Sequence, residues 1–443
     1  MESKNKPMKL IPLLLLGLML SNFTYAQQTL TLKEALNYAV QNNNEVRKAK
    51  LDIEKGRYKV EEVRSQALPQ LTGTAGLNYN PVIGQLIFAG NAVQIGNKWS
   101  SNSGVQLSQQ LFNQQVFTGL QAAKSSEIYY NLNSQYTEEQ TIEMVANNYY
   151  QVLVNRQQLN VIDTNIKNVG IVEKIIANQY KNGLARKIDV DRISVNMTNL
   201  TTQREQTLNA ITLLENQLKY AMGMPVSTII SLPAAELTQV RQLPELASSL
   251  SFSNRTEIKI LDINRKLLEL QRKAYVSEYY PTLALSANYT YASQGDKFDF
   301  IGSGPLSVGY GASAIGLTLR VPIFNGFLTR SKIRQADVDI KKADEDRSNT
   351  NNALNLAYEN AKIQLRNNLN TINAQRKNAD LAQEIYTSTQ NNYNNGLATL
   401  TDLLDTENAL TSAQNSYTQA LLNYKIAEIQ LIKSNGNIKS LLQ

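Results

Sequence analysis

Asp189 and Asp402 each stand six residues after the glycine of an Asn-Gly pair, Asn182-Gly183 in one case and Asn395-Gly396 in the other, and Asp405 lies about one helical turn beyond Asp402. At the start of a helix such carboxylates complement the positive end of its macrodipole. Gathered around an opening, they would favour cations and disfavour anions. Catalysis is a poorer reading, because the 443-residue chain contains no His and no Cys to serve as base, nucleophile or ligand. It also lacks a glycine-rich phosphate loop followed by Lys and Ser or Thr, and nothing in the sequence groups a carboxylate pair in a pocket. The chain therefore reads as no enzyme, with no cofactor and no metal site. Absence of cysteine also excludes disulfides and lipid attachment through a thiol. The two Asn-Gly pairs themselves predict a glycine in the left-handed conformation that ends one helix and lets the chain reverse.

The doubled turn belongs to a doubled chain. Asn42, Glu45, Pro69, Tyr79, Phe112 and Asn113 recur 212 positions later as Asn254, Glu257, Pro281, Tyr291, Phe324 and Asn325. After a one-residue slip, Tyr180, Gly183, Asp189, Leu218 and Gly223 recur 213 positions later as Tyr393, Gly396, Asp402, Leu431 and Gly436. A repeat this long predicts two equivalent halves of one architecture, residues 27–223 and 246–436. Between them lies a linker, 224–245, carrying Pro225, Pro233 and Pro244, and after them a tail, 437–443. Linker and tail are expected to pack around the middle of the molecule.

Glycine and proline are the main local punctuation of a chain, and here they are concentrated. Two windows, 73–119 and 295–326, equivalent under the repeat, hold fourteen of the 21 glycines. Residues 121–169, 184–222, 327–395 and 397–435 contain neither Gly nor Pro, and Gly170 is the one interruption before Asn182-Gly183. These stretches predict very long helices. At about 1.5 Å per residue, segment 327–395 approaches about 100 Å. In the last helix Leu403, Leu410, Tyr417, Tyr424 and Leu431 fall seven apart, with Thr406, Ala413, Ala420 and Ala427 as a companion row. This is a coiled-coil seam of large and small residues. The duplicate helix carries Val190, Met197, Ile211 and Leu218 with Arg204 intruding, and Ile193, Leu200, Thr207, Leu214 and Ala221. The remaining faces are rich in Asn, Gln, Ser and Thr, as suits a wall packed on its sides and wetted by solvent.

The glycine-rich windows alternate at period two instead. They predict two strands in each half, at about 70–80 and 103–112, then 282–292 and 311–321, separated by loops 81–102 and 293–310. About 9–11 residues is the span of a tilted membrane strand. Tyr79, Tyr289, Tyr291, Phe112 and Phe324 are read at strand ends, suited either to a membrane interface or to burial against helices. Residues 1–26 read as a secretory signal peptide: Lys4, Lys6 and Lys9, an apolar run from Leu10 to Leu20, then Thr24-Tyr25-Ala26. The apolar run is too short for a membrane span, which needs about 20 residues. Removing it lowers the formal charge from +7 to +5, with Lys and Arg scattered, so nucleic acid is not indicated as a partner.

An open sheet edge cannot sit in lipid with its backbone unsatisfied, and four short strands cannot close a barrel alone. The chain must therefore oligomerise. A minimum of about eight strands asks for at least two copies, and three copies give twelve.

At this point the chain resembles the TolC-like outer-membrane efflux protein family, over roughly residues 29–436. The start, Leu30-Thr31-Leu32-Lys33-Glu34-Ala35-Leu36, resembles the family's opening helix, although Asn44 stands where many members have proline. Ala67-Leu68-Pro69-Gln70-Leu71 and Tyr280-Pro281-Thr282-Leu283 resemble its helix-to-strand passages, and Val321-Pro322-Ile323-Phe324-Asn325-Gly326 its strand-to-helix exit. Most specific are the paired turns Tyr180-Lys181-Asn182-Gly183-Leu184 and Tyr393-Asn394-Asn395-Gly396-Leu397.

The resemblance implies a mainly α fold with a membrane β-barrel portion. Long coiled-coil hairpins would form a periplasmic α-barrel, and four strands per chain would contribute to a twelve-stranded trimeric outer-membrane barrel. It implies a homotrimer in the outer membrane of a Gram-negative cell, in contact with outer-membrane lipid. Its partners would be a periplasmic adaptor protein and an inner-membrane pump of RND or ABC type, serving efflux or type I secretion. In family members an aspartate, a tyrosine and an arginine near the turns hold the periplasmic entrance shut. Asp189, Tyr393, Asp402 and Asp405 match by motif position, but the arginine's place is Ala398, and Arg186 and Lys187 on the partner turn are the candidate substitutes. The competing reading is a non-conducting oligomeric stalk or surface fibre. That would account for the long helices and leave the duplicated strand pairs unexplained.

Overall fold

The computed structural model describes residues 29–238 and 252–443; the expected signal peptide, the rest of the linker and the first residues of the second repeat lie outside the described residues. In the first half the chain runs α1 (Leu32–Asn42), α2 (Asn44–Ser65), β1 (Gln70–Tyr79), β2 (Gln85–Phe88), β3 (Asn91–Gln94), β4 (Trp99–Phe112), α3 (Gln114–Lys181) and α4 (Lys187–Met222). After α5 (Ala235–Thr238) come α6 (Thr256–Val276), β5 (Thr282–Gly295), β6 (Ser307–Arg320), α7 (Leu328–Asn394) and α8 (Leu400–Ser434). The molecule is mainly helical with one membrane-type sheet.

Local chemistry sets where the helices begin. Thr31 and Glu34 form a capping box at α1. Asn43 caps α2 by accepting from Glu45 and Val46 N–H, and Asn113 caps α3 by accepting from Gln115 N–H. With no Gly or Pro inside α7, and only Gly119 and Gly170 inside α3, these helices reach 67 and 68 residues, about 100 Å each. Gly170 does not interrupt α3; a Cβ there would make ordinary van der Waals contact with Met197 of α4.

Two cores hold the helices together. One lies at mid-height and joins Leu36, Tyr149, Leu153, Leu218, Met222, Leu365 and Tyr424, with Ile230, Leu232 and Leu237 of the linker and Ile438 of the tail. The linker is fastened there by Leu30 N–H donating to Ser231 O at 2.7 Å, and the tail by Lys33 Nζ donating to Gln443 O at 2.6 Å. The second core lies near the hairpin turns and joins Val169, Ile176, Ile193, Leu200, Tyr386, Leu403 and Leu410. The heptad rows face these cores: Leu403, Leu410, Tyr424, Leu431, Ala420 and Ala427 are all buried. Arg204 interrupts its row because it turns to α3, donating through Nε to Asp163 Oδ1 at 2.6 Å.

The sheet is antiparallel in the order β1-β4-β5-β6. Paired residues share a face, so the register sorts every side chain. One face carries Leu71, Leu77, Val105, Leu107, Leu283, Leu285, Tyr289, Tyr291, Ile315, Leu317 and Leu319. The other carries Thr72, Thr74, Asn78, Asn102, Gln106, Asn288, Thr290, Gln294 and Thr318. Among the described residues no strand pairs with the outer edges of β1 and β6.

The strands run further than alternation delimits: β4 begins at Trp99, β5 continues to Gly295 and β6 begins at Ser307. Ser100–Ser103, Gly309 and Gly311 supply no apolar alternation, yet their backbones still pair. Tyr289 therefore lies well inside a strand. Tyr79, Tyr289, Phe112 and Phe324 are exposed on the single chain, not buried against helices. Within the expected loop 81–102, β2 and β3 form a small hairpin turning at Ala89 and Gly90, with φ of 52° and 83°.

Candidate functional site

The two helical hairpins reverse through the same Schellman geometry. Gly183, at φ 73°, donates to Tyr180 O at 3.0 Å while Leu184 N–H reaches Gln179 O at 2.7 Å. Gly396, at φ 75°, donates to Tyr393 O at 3.0 Å while Leu397 N–H reaches Asn392 O at 2.8 Å. Asn182 and Asn395 each send Nδ2 back to the carbonyl four residues earlier, at 2.9 and 2.8 Å. A side chain at either glycine would meet open space, so it is the left-handed backbone that calls for glycine.

The carboxylates beyond the turns differ in their surroundings. Asp189 accepts from Arg186 Nε and Nη2, both at 3.0 Å, and this pairing holds its carboxyl below the usual range. Tyr393, half-buried on the other hairpin, has its hydroxyl pKa pushed up first by burial and then by the charge of Asp189. Asp402 belongs to a capping box: it accepts from Thr399 N–H at 2.9 Å and Thr399 Oγ1 at 2.7 Å, while its own N–H donates to Thr399 Oγ1 at 3.2 Å. Those bonds lower its pKa. Asp405 is exposed and lines a groove of about 570 Å³ between α4 and α8, together with Asp191, Arg192 and Thr401. Arg192 bridges this groove, donating through Nη1 to Thr401 Oγ1 at 2.7 Å.

The structure thus brings Asp189 and Tyr393 together across the hairpins and sets Asp402 in a helix cap. Arg186 holds Asp189 of its own hairpin. Arg192 makes a cross-hairpin link instead. Sequence reasoning passed over it, although it lies three residues after Asp189, on a neighbouring stretch of the same helix surface. Behind the tips, Glu407 is only 5% exposed and one of its carboxylate oxygens has no hydrogen-bond partner. Burial pushes its pKa up to about 7. Among the described residues there is no acidic cluster able to hold a metal, and no helix long and apolar enough to cross a membrane.

A sheet with one apolar and one polar face, joined to helices about 100 Å long, defines an outer-membrane channel protein whose helical part extends into the periplasm. The chain belongs to the outer membrane efflux protein family, whose sequence model matches residues 35–224 and again 235–437. It is 22% identical to outer membrane protein TolC of Escherichia coli (strain K12) over 456 residues, 97% of this chain and 87% of that one. It is 24% identical to outer membrane protein TolC of Salmonella enteritidis, over 97% of this chain and 86% of the relative. Its fold is similar to that of the Campylobacter jejuni CmeC outer membrane channel, with a TM-score of 0.73, 15% identity, and coverage of 92% of this chain and 85% of that one.

Proposed function

We propose that three copies of this chain close into one channel-tunnel, through which cargo leaves the periplasm passively. The observation that carries this reading is the sheet, which has two unpaired edges, β1 and β6, an apolar face and a polar face. Unpaired edges are intolerable in lipid, so each must meet an edge of another copy. Twelve strands from three chains give a closed barrel with its apolar face to lipid and its polar face to water. The helical hairpins of the same chains would continue that conduit.

The sequence has no His, no Cys and no glycine-rich phosphate loop, and on this reading the energy comes from elsewhere. An inner-membrane pump of RND or ABC type, delivering through a periplasmic adaptor, fits that requirement. The hairpin tips are the periplasmic entrance, with Asp189, Asp402 and Asp405 from each copy around the opening, Arg186 neutralising Asp189, Arg192 linking the hairpins and Tyr393 packed against the core they share. The test is to purify the mature protein, determine its mass in detergent and record it in planar bilayers. A heat-modifiable trimer with stepwise conductance is expected. A monomeric, water-soluble product would overturn the reading.

A further inference from the structure

On β5 and β6 the apolar side chains of this face run out before the strands do, whereas on β1 they continue through Leu77 to Tyr79. From Leu283 to Tyr291 on β5 the rise is about 26 Å along the strand, or about 20 Å of height at a tilt of about 40°. The lipid-facing band of an outer-membrane barrel is about 25 Å tall. Above Tyr291 the same face continues with Ser101, Ser293 and Gly309, which pair across β4, β5 and β6. Small polar residues are poor lipid-facing groups, yet Ser101 and Ser293 are only 5% and 1% exposed.

What covers them is the connection between β5 and β6, residues 296–306. Ser101 Oγ donates to Phe300 O at 3.0 Å, Ser293 Oγ to Asp299 O at 2.9 Å, and Tyr291 Oη to Ile301 O at 2.7 Å. A side chain at Gly309 would collide with Ile301 O. All four positions lie on the apolar face, so the loop is folded over the outside of the sheet and not across the face that lines the conduit. Asp299 fixes that fold by accepting from Ile301 N–H at 3.1 Å, Gly302 N–H at 2.9 Å, Gly304 N–H at 2.7 Å and Ser307 Oγ at 2.6 Å. The side chains left outward are mostly apolar, with Phe298 59%, Ile301 63% and Leu306 60% exposed, while the charged Asp296 and Lys297 are exposed at the start of the loop. Phe298 packs edge-on against Trp99 at 5.2 Å, and Trp99 packs against Tyr79 at 4.5 Å.

We propose that this loop is a lipid-contacting pad, which supplies the apolar height that β5 and β6 lack and seats the channel in the outer leaflet of the membrane. Lipid is the occupant because the pad is continuous with the apolar face, makes up the height of about 5 Å that β5 lacks, and groups Trp, Tyr and Phe as at a membrane interface. The inference rests on the channel reading for which face meets lipid.

The chain has no cysteine, so Ile301→Cys can carry a single nitroxide, with Thr290→Cys on the polar face as the reference. In the reconstituted oligomer, oxygen should broaden the signal at 301 several-fold more than an aqueous nickel chelate does, with the reverse at 290. Adding Asp299→Ala should shift 301 several-fold toward the chelate. A conducting oligomer in which 301 is as chelate-accessible as 290 would overturn the pad and leave the channel standing. An unchanged 301 in the Asp299→Ala protein would remove Asp299 as its fastening. A protein that neither assembles nor conducts would sink the channel reading and this inference with it.

Discussion

At the scale of single residues, the carboxylates proposed for the entrance are not equivalent. Asp189 is paired with Arg186, whereas Asp405 is exposed in its groove beside Arg192. Replacing both Asp402 and Asp405 with Ala should therefore weaken cation preference in planar bilayers or raise conductance. Arg186→Ala should strengthen cation preference by unmasking Asp189. Unchanged reversal potentials in a salt gradient for both variants would remove these residues from the ion path. Glu407 makes a separate prediction about pH. Its ordinary value is 4.5 and burial raises it to about 7. Between those values the unfolded chain has released the proton and the folded chain keeps it, so stability falls as pH rises through that window and levels off above it. The shift corresponds to roughly 3 kcal/mol. Glu407→Gln should be more protected than the parent at pH 8 and nearly equal to it at pH 4.5, measured by hydrogen exchange of the α7–α8 tip. Equal protection at both pH values would show that Glu407 does not titrate in this range.

At the scale of elements, helix-ending glycines with the same left-handed φ have different reasons to be glycine. Gly183 faces open space, so Gly183→Ala meets only the left-handed backbone penalty of about 1–2 kcal/mol. Gly223 has the same φ of 73°, but a side chain there would run into Asn42 O where α4 ends against the α1–α2 junction. Gly223→Ala should add an overpacking penalty of about 1–3 kcal/mol. Thermal melts should place Gly223→Ala well below Gly183→Ala, and equal midpoints would contradict this packing. These turns and the long helices were legible because their signal is local: an Asn-Gly pair, a heptad row, a run without breakers. Alternation likewise marked the strand cores. The Thr399-x-x-Asp402 box was also written in the sequence, as spacing alone. The β2–β3 hairpin was not legible, because its turn uses Ala89 at positive φ and no Asn-Gly marker. Nor was the fold-back of residues 296–306, which depends on Asp299 meeting three backbone N–H groups. Arg192 was hidden for a third reason: its partner Thr401 lies 209 residues away, so only the alignment of α4 with α8 reveals it.

At the scale of the whole molecule, the number of copies is the quantity on which the conduit's width depends. Barrel diameter grows roughly linearly with strand number, so two copies, with eight strands, would leave an interior filled by side chains. Three leave room for water along the polar face. The absence of cysteine makes this directly measurable. Thr72 or Thr74 on β1 and Ala312 or Ala314 on β6 all lie on the polar face, near the middle of the two edge strands. Pairs of cysteines, one from each strand, should bridge under oxidation wherever the closing register brings their Cα atoms to about 4.4–6.8 Å. Because every copy offers both edges, bridging at the right register must run round the ring until it closes. The largest closed covalent species should then have the mass of three chains, while neighbouring registers give little product. A closed species of two chains would mean an eight-stranded barrel. Failure of every register to bridge, in protein that still conducts, would mean that β1 and β6 are not the edges that meet.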